Sequence, residues 1–344
     1  MADNNLSKDE LKFISESYGI NLLEQEVPSA FVVYNKTSFV NDDSGKRFVV
    51  KKYGPDFKRD LIKFQLRLNN FVYDQGVPAA HLLENLNGSN LTVKGNDPYS
   101  LTSFIGGRYP KKDLDDEVAL AFQGLARFNQ ALKNFKRLEG YQELPRFSLP
   151  LTDQFQELLP YLPKTATNKI DEYVLAMIPY VSSSIESVEK DISKINHEKQ
   201  LIHGNFNLTS MLIDDHKITG IFDYGLIRLD FKGVDVMHTL DLYCFDKETP
   251  ELRIDDRVNL GKLEEYFAEY KKHDPKIVKQ IKDMPLMLAK VGLNSLITTW
   301  GWGYKPDSTE KQRSYFEKRY SFFLNRVDIA LSLSDMLVES LSRS

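Results

Sequence analysis

The segment LIHGNFNLTSMLID, residues 201–214, sets His203, Asn205, Asn207 and Ser210 between two apolar stretches. The apolar flanks read as strand ends, and a His-Gly step leading into a polar run reads as a loop presenting side chains. A carboxylate directly after the Gly would accept the proton of an attacking hydroxyl. Asn205 stands there instead, and an amide is no base at neutral pH. Two more groups could do chemistry. Asp223 follows the apolar run ITGIF and precedes Tyr-Gly, and Lys51 closes RFVVK with Lys52 beside it. On a strand those two lysines point to opposite faces, so a site on one face receives only one of them.

These groups need elements to hold them. Leu11, Ile14 and Tyr18 at helical spacing, with Gly19 as the stop, predict a short amphipathic helix. SAFVVYNKTSF and KRFVVKKYG flank the turn-forming VNDDSG and predict a β-hairpin. A helix is expected over roughly residues 57–74, with Leu61, Phe64, Leu68 and Phe71 on one face and Gly76 and Pro78 beyond its end. HLLENLNGSNLTV and YSLTSFIGG read as two or three further strands. From about residue 113 the pattern is mostly helical, interrupted by one hairpin whose turn is Asp-Asp-His-Lys. A β-rich segment with one helix, a connector near Gly106-Gly107, and a helical segment holding one hairpin therefore follow in order.

In that order and with those motifs, the chain resembles the aminoglycoside phosphotransferase and choline kinase group of kinase-fold proteins, which has homoserine-kinase-like and spore-coat-kinase-like relatives. Their loop reads H-G-D-F-N-P-x-N-I-L, followed by a hairpin and I-D-F/W-G; here the counterparts are HGNFNLTSML and ITGIFDYG. The match runs from about residue 30 to about residue 245, and more loosely beyond. The resemblance implies an α+β, protein-kinase-like two-lobed fold. Its β-rich nucleotide-binding lobe would span residues 1–105, and its helical lobe 106–344 would carry the catalytic-type hairpin at 201–225. It also implies ATP and Mg2+ as cofactors, and transfer of a γ-phosphoryl group to a hydroxyl of a small molecule.

Residue by residue, the resemblance gives Lys51 the phosphates and the backbone of Ser103, Phe104 and Ile105 the adenine edge. Asp223 and Ser210 fall at the metal-binding positions, His203 at a structural position of the loop, and Asn205 at that of the base. Asp235 is expected to cap a helix or brace the loop. The chain departs from the pattern at three places. Asn205 replaces Asp, Ser210 replaces a metal-binding Asn with a shorter and weaker ligand, and no Glu lies between Phe57 and Gln75 to pair with Lys51, Gln65 standing about where it would be. Loss of a general base costs roughly 10²–10⁴ in rate, although phosphoryl transfer depends mainly on positioning and electrostatics. Two readings follow: a phosphotransferase with weakened or lost chemistry, acting on a small hydroxylated acceptor, or a pseudokinase scaffold that binds nucleotide or a protein partner. FDKETPELRIDDR and the aromatic TTWGWGYKP could line an acceptor site, but a solvated face and core packing are the expected roles.

Composition narrows the classes. Among 344 residues, 45 Lys and Arg stand against 49 Asp and Glu, a formal charge of −4, which argues against nucleic acid as the partner. Cys244 is the single cysteine, so no intrachain disulfide forms, in keeping with a cytoplasmic setting. The polar, acidic start MADNNLSKDELKF is unlike a signal peptide, and no apolar run has the length of a membrane span.

Overall fold

A computed structural model describes residues 6–26, 35–54, 59–133, 135, 150–245 and 257–344. The chain divides into two compact units. One holds Met1–Pro110, Asn134–Gln142 and Leu208–Gly225, and the other the rest.

In the first unit, Ser7 and Glu10 form a capping box at the start of helix α1 (Lys8–Tyr18), and Gly19 ends it as expected. A five-stranded antiparallel sheet follows the order β1-β2-β3-β5-β4, from strands β1 (Leu22–Glu26), β2 (Lys36–Asp42), β3 (Arg47–Lys52), β4 (Thr92–Lys94) and β5 (Asp97–Ser103). β2 and β3 are the expected hairpin, although residues 27–34 of its first arm lie outside the described residues. Alternation along β3 buries Phe48 and Val50, which join Ile14, Tyr18, Val40, Tyr99 and Leu101 in one core beneath α1. Helix α2 (Arg59–Asp74) buries Ile62, Phe64, Gln65, Leu66, Leu68 and Val72; of the expected face Phe64 and Leu68 are buried but Leu61 and Phe71 only half-buried, because Tyr53 and Leu82 pack against Ile62 and Leu66 and turn that side inward.

The hairpin of β7 (Met211–Asp214) and β8 (Lys217–Ile221) also belongs to this unit, as does the short turn Tyr224–Leu226 up to Gly225. The expectation had placed it in the helical part. Its hydrogen bonds explain the grouping: Arg108 and Ile213 exchange backbone bonds of 2.9 Å, Ile221 N–H donates to Pro78 O at 2.7 Å, and Thr219 Oγ1 donates to Gly106 O at 2.8 Å. Gly107 makes this approach feasible. Its φ is +127°, and a Cβ there would lie 2.8 Å from Ile213 O. Asp215 and His216, with φ of 45° and 55°, form the two-residue hairpin turn.

The second unit is mostly helical, with α3 (Asp115–Lys133), α4 (Leu151–Leu158), α5 (Lys169–Ile192), α6 (Lys232–Cys244), α7 (Leu260–His273), α8 (Met284–Tyr304), α9 (Glu310–Arg319), α10 (Phe322–Ser332) and α11 (Ser334–Arg343). α8 is apolar on nearly every side and packs against α4, α5, α6, α9, α10 and α11. Trp300 is buried in it, donating to Tyr320 O at 2.9 Å, while Trp302 is half-buried against Tyr315, so of the TTWGWG aromatics Trp300 builds the core, and the helix runs through both glycines. The two-stranded ladder of β6 (Gln200–Ile202) and β9 (Arg228–Asp230) brackets the loop that begins at His203. Among the described residues, no helix is long and apolar enough to cross a membrane. Of the acidic stretch FDKETPELRIDDR, residues 246–256 lie outside the described residues.

Candidate functional site

The residues singled out by the sequence fall into both units. In the first, β3 presents Lys51 and Lys52 on opposite faces. Lys52 sits on the α1 side, with its ammonium 2.7 Å from Glu10 and 2.6 Å from Asp97, over the ring of Tyr99. Burial alone would lower its pKa, but the two carboxylates hold it above the ordinary lysine value. Lys51 takes the other face. It is half-buried, its ammonium lies 5.2 Å from the centre of the Tyr53 ring, and among the described residues no carboxylate pairs with it. Burial pushes its pKa down, and the negative charge of Asp223 pulls in the opposite direction. Lys51 and Asp223 therefore sense each other within one unit.

Asp223 is exposed and has φ +70°, the left-handed region that costs most residues about 1 kcal/mol or more but suits Asp and Asn. Tyr224 next to it is buried, its hydroxyl donating to Ile221 O at 2.8 Å. The backbone therefore turns out of β8 with the carboxylate outward and the phenol inward. One exposed carboxylate suits a hard divalent cation that completes its shell with phosphate oxygens and water. Ser210 is nearly fully buried, and its carbonyl accepts from Phe222 N–H at 2.9 Å, which ties the segment before β7 to the residue preceding Asp223.

Gln65 is buried, and among the described residues its Nε2 has no hydrogen-bond partner and no hydrogen bond joins it to Lys51. Of the three residues expected at the adenine edge, two have their amides engaged. Ser103 N–H donates to His81 O at 2.9 Å, and Phe104 N–H to Arg47 O at 3.2 Å. The Phe104 ring packs on Phe39 and beneath the Arg47 guanidinium at 4.2 Å. Among the described residues, the amide of Ile105 has no hydrogen-bond partner.

In the second unit, Asp235 settles the loop. It lies in the first turn of α6 but does not cap it; its buried carboxylate accepts the N–H of His203 at 2.7 Å and of Gly204 at 2.8 Å. Burial pushes its pKa up, while His203, Arg228 and the two amides oppose that. The bracing role expected for Asp235 is the one its geometry shows. His203 itself is buried, its ring edge-on to Phe128 and Phe206 with both centroids at 5.3 Å. Arg228, which the sequence reading did not single out, donates to Gly204 O at 3.1 Å while its Nε reaches Asp230 at 3.4 Å. Gly204 has φ +82°, and a Cβ there would stand 2.1 Å from Leu226 O, so only glycine fits.

Past this anchor, Asn205 is half-buried, and its Oδ1 lies 3.1 Å from Nε2 of His238 on α6. His238 was also missed. A signal existed, because three residues after Asp235 on a helix returns to the same face. Asp214 and Asp215 sit exposed at the hairpin turn.

A family described as the phosphotransferase enzyme family matches residues 32–274. A homoserine kinase of Rhodopseudomonas palustris is 21% identical over 293 residues, spanning 85% of this chain and 84% of that protein. Among solved structures, the amicoumacin kinase hAmiN in complex with AMP-PNP, Ca2+ and Ami superposes with a TM-score of 0.68 at 11% identity, covering 96% of this chain and 94% of that one. A microcompartment-associated aminopropanol kinase gives 0.67 at 12% identity, covering 95% and 97%. These likenesses show the α+β, protein-kinase-like fold.

Proposed function

The chain belongs to the phosphotransferase enzyme family, and from that premise we propose that it binds ATP with a divalent cation and transfers the γ-phosphoryl group to a hydroxyl of a small molecule. The observation that carries this reading is the contrast within β3. Lys52 is bound by two carboxylates, whereas among the described residues Lys51 pairs with none, on the opposite face and within the field of Asp223. A cation and a carboxylate so placed suit a polyphosphate and its metal.

In this reading Lys51 holds the phosphates, Asp223 supplies a carboxylate to Mg2+ with Ser210 behind it, and the amide of Ile105 offers a donor to the adenine edge. Bound Mg2+ would neutralise charge developing on the phosphate oxygens. The loop gripped by Asp235 and Arg228 orients the acceptor at Asn205. The relatives named homoserine kinase make an amino acid with a primary hydroxyl the first acceptor to try.

The second reading, a nucleotide-binding scaffold without transfer, is favoured by one observation: the group at position 205 is an amide already hydrogen-bonded to an imidazole. Calorimetric titration with ATP, with and without Mg2+, tests the common core of both. Saturable binding that Mg2+ strengthens, and that Asp223→Asn deprives of its Mg2+ dependence, is the expected result. No binding at millimolar ATP would overturn both. Phosphorylation of a hydroxylated acceptor by the MgATP-bound protein then decides for the enzyme.

A further inference from the structure

We propose that Lys276, Lys279 and Lys282 form a docking row for an extended acidic segment of a protein partner, whose carboxylates on alternate residues meet the three ammonium groups. The row lies on a 3-10 helix, Pro275–Asp283, between α7 and α8. Its sequence, PKIVKQIKD, places a lysine at every third residue. A 3-10 helix completes one turn in three residues, so side chains three apart eclipse one another. In an α-helix the same spacing would fan them by about 60° at each step. With a rise of about 2 Å per residue, the three lysines stand about 6 Å apart along one line. All three are exposed, and Val278 between them is 46% exposed.

Nine residues are long for this conformation, because runs beyond three or four are uncommon. The inward side explains why it holds. Ile277, Gln280 and Ile281 are buried, and the segment packs on α6, α7, α8 and α11. Gln280 Oε1 accepts the N–H of Gly233 at 2.8 Å. The carboxylates at the two ends of the segment are engaged elsewhere, Asp274 with Lys232 and Asp283 with His197 at 2.9 Å. Among the described residues, no carboxylate pairs with Lys276, Lys279 or Lys282. The row is therefore anchored from behind, faces solvent, and has no counter-charge of its own.

Geometry and charge select the occupant. Side chains on one face of an extended strand repeat about every 6.6 Å, close to the lysine spacing. Asp or Glu at positions i, i+2 and i+4 of a partner segment can thus meet all three lysines, and Val278 offers that segment an apolar contact. Nucleic acid calls for a broad basic face or aromatic platforms. This segment contains no aromatic residue, and the whole chain carries a charge of −4. A bilayer surface is held by basic residues together with large apolar side chains, whereas Pro275 and Val278 are the only exposed apolar residues of the segment. Exposed ion pairs are individually weak and screened by salt, so binding needs all three lysines together and fades as ionic strength rises.

Fluorescence anisotropy with the full chain tests this. The probe is a labelled peptide of alternating serine and glutamate with three glutamates, set against an isomer with the three glutamates contiguous. Saturable binding of the alternating peptide at low salt is expected, with the isomer weaker because a strand puts only two of its charges on one face. Each of Lys276→Gln, Lys279→Gln and Lys282→Gln should weaken binding roughly two- to fivefold, and the triple variant roughly tenfold or more. Removing three exposed lysines elsewhere, by Lys8→Gln, Lys63→Gln and Lys318→Gln, should leave the affinity unchanged. Thermal unfolding checks that every variant folds, and the isomer and salt comparisons need wild type alone. No saturable binding at millimolar peptide, equal affinity for the isomer, or equal weakening by the control triple would overturn the proposal. So would tighter binding to phosphatidylserine vesicles or to a thymidine oligonucleotide, which would make the row a site for another polyanion.

Discussion

Lys51 and Lys52 are neighbours in β3 with opposite surroundings: Lys52 is locked between Glu10 and Asp97, and Lys51 faces the Tyr53 ring and the charge of Asp223. Substituting each in turn separates structure from ligand binding. Lys52→Met should lower stability by about 1–3 kcal/mol, because it strands two carboxylates that are partly buried, and leave ATP affinity unchanged. Lys51→Met should leave stability unchanged or higher and remove the stabilisation by ATP. Thermal unfolding with and without MgATP reads both effects.

The same cluster predicts acid sensitivity. Burial alone would raise the pKa of Glu10, but Lys52 and Tyr99 hold it at about 2, below its ordinary 4.5. A carboxylate depressed in the folded state contributes stability above its unfolded pKa, and that contribution is lost as pH falls from about 4.5 towards 2. Unfolding free energy measured by urea titration should fall through this window by about 1–3 kcal/mol more in wild type than in Glu10→Gln.

Gly204 admits no side chain. With φ +82° and Leu226 O only 2.1 Å from the place a methyl carbon would take, Gly204→Ala should cost about 3 kcal/mol or more, from strain and steric overlap together. A shifted urea midpoint with an unchanged slope would confirm it; a change below about 1 kcal/mol would show that the loop yields.

Arg326 and Asp241 form an ion pair at 1% and 0% side-chain exposure. Removing one partner leaves a buried charge, so Asp241→Ala should cost about 3–5 kcal/mol. The double replacement Asp241→Leu with Arg326→Met should recover most of that loss. A double variant as unstable as Asp241→Ala would mean that the pair is irreplaceable for shape and not for charge.

The elements that local chemistry dictates were legible in the chain. Gly19 ends α1, turn residues separate β2 from β3 and β7 from β8, and alternation splits Lys51 from Lys52. Strand β1 was not, because LLEQE carries no alternating pattern and becomes a strand by pairing with β2. The engaged amides of Ser103 and Phe104 depend on partners at His81 and Arg47, far away in sequence. The Asn205–His238 contact spans 33 positions, so no local window contains it. Spacing alone could have put His238 on the helix face of Asp235, but its contact with Asn205 is set by tertiary packing.

The hairpin that ends near Asp223 groups with the sheet, while Asn205 remains with the helices. Lys51 and Asp223 are thereby set by the packing of a single unit, and the helical unit carries the loop and the residues that brace it. Such a division makes the chain modular. A substitution among the helices that brace Asn205 is therefore expected to leave the spacing of Lys51 and Asp223 unchanged.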